Sequence, residues 1–187
     1  KLRSVQSQLL RLMLDKPRTA KKIILDMDST VLVLYGKQEL ATIGYNPTKR
    51  GRPSYHPLLC FDGITKDCIH AELRSGNTYT SSGTTSLLEA SFAKIPPTVK
   101  RVSIRADKGF YDHKIIEKIE QHPGVLFAIA AKLTSPVKRR LSSLRYRTPT
   151  HGIETAEFLC QPIGWRKRYR FIVIRRPIPD EPTDQLT

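Results

Sequence analysis

Cysteine, acidic charge and long apolar runs are what this sequence has little of, and each shortage narrows the reading. Cys60, Cys68 and Cys160 are odd in number and form no Cys-x-x-Cys pair, which excludes a disulfide framework and a zinc knuckle. They are expected to be reduced and largely buried. No apolar run approaches the roughly 20 residues of a membrane span, and no secretory pattern opens the chain, so no membrane partner and a cytoplasmic location are expected. Acidic residues number 17 against 32 Lys and Arg, a net charge of +15. A surplus of that size repels itself unless a polyanion neutralises it, which points to nucleic acid ahead of an anionic membrane surface. The remaining composition, 39% hydrophobic and 26% charged, excludes disorder throughout. At 187 residues the chain can build one domain, with or without an inserted subdomain. It starts at Lys1 and ends at Leu186-Thr187 without an evident finishing element, so we expect a fragment.

Apolar periodicity gives the element order. Leu2, Val5, Leu9, Leu12 and Met13 recur at near-helical spacing, predicting an amphipathic helix over 2–14. A strand follows over 22–28, continued by Val31–Tyr35 as one bent strand or a second piece. Residues 44–57 carry Gly, Pro, Asn and basic residues and read as a loop. Strands at 57–61 and 68–73 flank the hairpin signal Asp62-Gly63. Ser86 and Glu89 have capping-box spacing and predict a helix closed by Pro96-Pro97. A strand at 99–106 leads into Asp107, Asp112 caps a helix bearing Ile115, Ile116 and Ile119, and 125–130 is another buried-type strand. The order is thus a three-strand meander followed by helix, strand, helix, strand, over a unit 1–132. Residues 133–187 change character. They read as a basic stretch, a hairpin of 153–160 and 169–175, and a Pro-rich end, an incomplete β-rich insertion.

The chemistry lies in the acids that end two of these strands. Ile24, Asp26 and Asp28 share one side of the first strand. Desolvated, unpaired carboxylates on a central strand cost several kcal/mol, so these should cap a turn, pair with Lys or Arg, or hold a cation. Right-handed crossovers can place the 99–106 strand beside the first, bringing Asp28 and Asp107 to neighbouring strand ends. Two such carboxylates are the minimum scaffold for a pair of divalent ions about 3.5–4 Å apart.

Leu25-Asp26-Met27-Asp28-Ser29-Thr30, Gly36-Lys37-Gln38-Glu39, Tyr55-His56-Pro57-Leu58, Leu73-Arg74-Ser75-Gly76-Asn77 and Arg105-Ala106-Asp107-Lys108-Gly109-Phe110-Tyr111, in this order over about 22–132, resemble the catalytic domain of DDE-type transposases of bacterial insertion sequences. The resemblance implies an α/β ribonuclease-H-like fold that cuts and joins DNA with Mg²⁺ (Mn²⁺ as substitute) held by Asp, Asp and Glu. It implies Asp28 as the first ligand, since the Asp-x-Thr pattern falls there, with Asp26 the lesser choice, and Asp107 as the second. The family's Glu lies on a later helix, and none of Glu154, Glu157 and Glu181 is assigned to that role. The expected partners are transposon-end and target DNA, with a homodimer in a synaptic complex at the bacterial nucleoid. The alternatives are a non-cutting, DNA-binding remnant and a metal nuclease of the same fold.

Basic residues supply the candidate DNA surface. Lys49, Arg50 and Arg52 either hold a phosphate backbone or line a solvated loop. Arg74 and Asn77 either reach nucleic acid or fix the loop around Gly76. Lys138, Arg139 and Arg140 are further candidates, as are Arg166, Lys167 and Arg168 around Trp165, itself either a stacking residue or a hairpin anchor. His56, ahead of Pro57, reads as a packed or solvated histidine, since hard Mg²⁺ would not prefer it.

Overall fold

A computed structural model describes residues 22–46 and 49–177, with residues 4, 5, 8, 9 and 12 ahead of them. Those five are helical and exposed, and the rest of the expected 2–14 helix lies outside the described residues, as do Pro47, Thr48 and the end beyond Pro177. The chain forms two compact units, 1–132 and 133–187.

In the first unit β1 (Lys22–Ser29), β5 (Leu58–Asp62), β6 (Cys68–Glu72), β7 (Arg101–Ala106) and β8 (Leu126–Ile129) form one mixed sheet in the order β6-β5-β1-β7-β8. The meander supplies the antiparallel half, and two crossovers supply the parallel half. Alternation in β1 explains its two sides. Ile23, Leu25 and Met27 are buried, while Ile24 and Asp26 are half-buried and Asp28 exposed. The buried side joins Leu58, Cys60, Ile69 and Ile104 with the apolar faces of α1 (Thr84–Phe92) and α2 (His113–Glu120) in a single core. Each such aliphatic side chain contributes about 1.5–3 kcal/mol by leaving water.

Two local outcomes in this unit differ from the sequence reading, strand pairing in the stretch read as loop and the absence of the expected capping box, while the run after β1 takes the second of its two readings. The apolar run after β1 breaks into a separate piece, β2 (Leu32–Val33), which pairs with β4 (Pro53–Tyr55), itself paired with β3 (Thr42–Ile43), in a small second sheet. Two of these strands lie within or beside the stretch read as loop. Their pairing rests on a backbone crossing: a Cβ on Gly44 would lie 1.9 Å from the Gly76 carbonyl oxygen, so only glycine lets the chains meet. The Ser86–Glu89 capping box does not form. Gly83 in the left-handed region starts α1 at Thr84, whose hydroxyl donates to the Thr80 carbonyl at 2.8 Å, and Glu89 instead receives Lys118 of α2 at 2.6 Å.

In the second unit a helix, α3 (Ser135–Ser142), occupies the basic stretch and buries Val137. A strand β9 (Arg147–Thr150) precedes the hairpin of β10 (Ile153–Cys160) and β11 (Tyr169–Arg175), giving the order β11-β10-β9. Phe158 and Phe171 stack across the hairpin at 5.1 Å. Among the described residues no helix is long and apolar enough to cross a membrane.

Candidate metal centre

Parallel pairing of β1 with β7 runs from Lys22 opposite Arg101 to Met27 opposite Ala106. The next residue on each strand is an aspartate, so Asp28 and Asp107 leave neighbouring strands at the same level. Both are exposed. Asp28 accepts the Ser29 amide at 2.7 Å, and Asp107 caps a 3₁₀ turn, Lys108–Phe110, by accepting the Gly109 amide at 2.8 Å. Phe110 is fully buried and pins that turn to the core. Gly109 is set close among its neighbours, because a Cβ there would lie 3.0 Å from both the Asp107 carboxylate and the Thr80 methyl, which would have to give way by a few tenths of an ångström.

Asp26, two residues before Asp28 on the same side, has a different environment. Arg105 stands opposite it in the register and grips it with two donors, Nε at 2.6 Å and Nη2. Chiefly through that hydrogen bond, the Arg105 guanidinium holds the Asp26 carboxyl below the usual carboxylate range. A carboxylate already paired in a fork-to-fork arrangement is a poor candidate for a cation ligand. Asp28 and Asp107 have no Lys or Arg partner among the described residues, in a chain carrying +15. The three aspartates, with Phe61, Lys66 and Arg105, line an open hollow of about 600 Å³. A second hollow of about 610 Å³ shares Asp107 and is lined by Ser29, Thr30, Tyr45, His56, Thr80 and Lys108.

Hard oxygen donors at neighbouring strand ends fit a divalent ion such as Mg²⁺, which takes one or two carboxylates and keeps several waters. Among the described residues no group of three His, Cys, Asp or Glu side chains is placed to hold a metal. Glu154 and Glu157 face Arg175 and Arg170 across the β10–β11 hairpin, and Glu181 lies outside the described residues.

The model of the family described as transposase DDE domain, group 1, matches residues 1–177. The chain belongs to that family. A solved structure of the piggyBac transposase synaptic complex with hairpin DNA is similar at 13% identity and a TM-score of 0.52, covering 93% of this chain and 37% of that one. The Mos1 mariner paired-end complex with Mn is similar at 14% identity and a TM-score of 0.44, covering 69% of this chain and 42% of that one. The DDE domain therefore has the ribonuclease-H-like fold of transposase catalytic domains, and it spans 37% of the length of the piggyBac chain. Comparison with curated proteins returns no match.

The basic candidates fall into separate places on the DDE domain. Lys49 donates to the Tyr35 hydroxyl at 2.8 Å, and Arg52 lies over the same ring at 5.4 Å, so two exposed cations share one phenol. Arg50 is exposed beside them. Arg74 does not face outward: it donates to the carbonyls of His56 at 2.9 Å, Tyr79 at 3.0 Å and Ser82. Asn77 accepts the hydroxyls of Ser75 at 2.9 Å and Thr42 at 3.2 Å. Both take part in the hydrogen bonding that holds the loop around Gly76. Lys138, Arg139 and Arg140 are exposed on α3, and Arg166, Lys167 and Arg168 are exposed between β10 and β11. Trp165 meets Tyr169 edge-on at 5.3 Å, the geometry of a hairpin anchor. Sequence reasoning passed over Arg105, Lys66 and Thr80. Arg105 carried a usable signal in its place two residues before Asp107, which puts it level with Asp26 once the register sets Met27 opposite Ala106.

Proposed function

We propose that this chain is part of an insertion-sequence transposase that binds DNA across the strand ends of β1 and β7 and, with Mg²⁺ held by Asp28 and Asp107, carries out strand cleavage and strand transfer. One observation carries the reading. Two adjacent carboxylates are left without a cationic partner at the end of a sheet whose third aspartate is fully paired, in a strongly basic chain of the transposase DDE family. A bound divalent ion would supply charge stabilisation at the phosphate and an activated attacking oxygen, water or a DNA 3′-hydroxyl. The residues of the chain hold position: the Gly109 amide and Phe110 fix Asp107, and the Arg105 pair keeps Asp26 out of the ligand set. Family membership and the excess of positive charge support DNA ends and target as the partners, a homodimer in the synaptic complex and a place at the bacterial nucleoid. A second reading, DNA binding without cutting, is supported by the absence of a group of three metal-ligating side chains among the described residues.

Titration with Mn²⁺, followed by the loss of its free paramagnetic resonance signal, tests the metal assignment. We expect Asp28→Asn and Asp107→Asn each to abolish binding while melting as the parent does, and Asp26→Asn to retain it. Binding lost only in Asp26→Asn would show that the first ligand is the other aspartate. Incubation with Mn²⁺ and element-end DNA then separates the two functional readings by whether a nicked product forms.

A further inference from the structure

His56 sits in the second hollow with a specific gap in its bonding. It is 8% exposed. Its backbone is fixed on both sides by Arg74, the amide donating to the Arg74 carbonyl at 2.9 Å and the carbonyl accepting Arg74 Nε at 2.9 Å. Its ring is fixed as well, with Nδ1 2.6 Å from the Thr78 carbonyl oxygen. A carbonyl only accepts, so Nδ1 carries the hydrogen, and in the neutral ring Nε2 carries the lone pair. Nε2 has no partner among the described residues, and the ring lines the hollow beside Asp107, Lys108 and Tyr45. The fold therefore uses three backbone and side-chain bonds to hold an imidazole still and leaves its acceptor atom unused.

We propose that His56 is a substrate contact, with Nε2 accepting a hydrogen bond from a donor group of the DNA strand seated beside Asp107. The class of ligand follows from the tautomer. Phosphate oxygens are acceptors and cannot satisfy a lone pair, whereas Lys108 in the same hollow suits them. The donors a DNA strand offers are its base N–H groups and its terminal 3′-hydroxyl. The assignment rests on the reading that DNA lies over Asp28 and Asp107, and it gives that reading a residue that distinguishes parts of the strand.

Two substitutions separate contact from scaffolding. In His56→Asn the side-chain amide falls where Nδ1 was and keeps the Thr78 bond, but nothing replaces Nε2. In His56→Gln the amide reaches the place of Nε2 and gives up the Thr78 bond. Binding is read at pH 8 by anisotropy of a labelled 16-nucleotide single strand ending in a 3′-hydroxyl and of the same strand ending in a 2′,3′-dideoxy residue, with melting temperature measured alongside. We expect His56→Asn to melt like the parent and bind the hydroxyl strand about 5- to 10-fold more weakly, the effect of one lost hydrogen bond. His56→Gln should melt lower and bind closer to the parent. If the donor is the hydroxyl, the parent loses the same factor on the dideoxy strand and His56→Asn loses nothing further; if it is a base N–H, the parent binds both strands alike and His56→Asn is weaker on both. His56→Asn binding both strands as the parent does, with the His56 Nε2 nitrogen resonance of the parent unmoved by saturating strand, overturns the proposal. A parent chain that binds neither strand sinks the DNA reading itself, and the His56 contact with it.

Discussion

The aspartates of β1 show how a neighbour decides what a carboxylate can do. Asp26 and Asp28 have the same chemistry and the same side of the strand, yet Arg105 stands opposite one and nothing cationic opposite the other. Because Arg105 holds the Asp26 carboxyl below its ordinary value, the pair stabilises the fold at neutral pH, and that stabilisation is lost as pH falls through the lowered value. We therefore expect Asp26→Asn to lower the melting temperature at pH 7, with the gap to the parent closing below about pH 4, the ordinary carboxylate range. A gap that stays constant down to pH 3 would show that the ion pair contributes nothing. At this scale the site was half legible. Asp28 and Asp107 could be chosen because they end apolar strands and fall in a motif, both properties of local sequence. Arg105 and Asp26 are 79 positions apart, and His56 meets Thr78 only once the Gly76 loop has folded, so those relationships depend on register and packing.

Elements were legible in proportion to the length of their patterns. The five strands of the main sheet and α2 each declare themselves by four or more residues of alternation or helical spacing, and Asp62-Gly63 marks a hairpin turn closed by Asp62, which accepts the Ile64 amide at 3.0 Å. Strands β2, β3 and β4 have two or three residues each and are held by what crosses them; β4 lies in the Gly- and Pro-rich stretch read as loop, whereas β2 falls in the apolar run read as extended. The helix α3 was hidden because one buried residue, Val137, among many charges gives almost no apolar stripe. The small sheet supplies a test of that crossing. A Cβ on Gly76 would lie 2.4 Å from the Ser54 carbonyl oxygen and 2.5 Å from that of Thr42, both backbone atoms that cannot turn aside. Gly76→Ala should thus destabilise by about 3 kcal/mol or more, in the class of substitutions that force strain into packed backbone. Urea unfolding measures it, and a change under about 1 kcal/mol would mean the loop relaxes without loss. The same loop carries Thr78 and Thr80, so the variant should also weaken whatever binds beside Asp107.

Charge belongs to the whole molecule, because an excess of +15 acts on a polyanion wherever its cations sit. Two separate groups compete to be the phosphate surface: Lys49, Arg50 and Arg52 in the first unit, and Lys138, Arg139 and Arg140 with Arg166, Lys167 and Arg168 in the second. Salt dependence can tell them apart, since each phosphate neutralised on duplex DNA contributes about −0.9 to the slope of log K against log salt. The α3 cations are exposed, and two of them lie in the last helical turn, where the helix dipole favours positive charge on its own account. Part of their presence is thereby explained without DNA, which makes the measurement decisive rather than confirmatory. If all three meet phosphate, replacing Lys138, Arg139 and Arg140 by Gln should flatten the slope by about 2.7, while the metal titration at Asp28 and Asp107 stays as in the parent. An unchanged slope would move the phosphate contacts to the cations around Tyr35, where Lys49→Gln with Arg52→Gln should then flatten it by about 1.8. A slope that neither set alters would show that the charge excess serves no localised duplex surface, and binding would have to be sought on single strands beside Asp107.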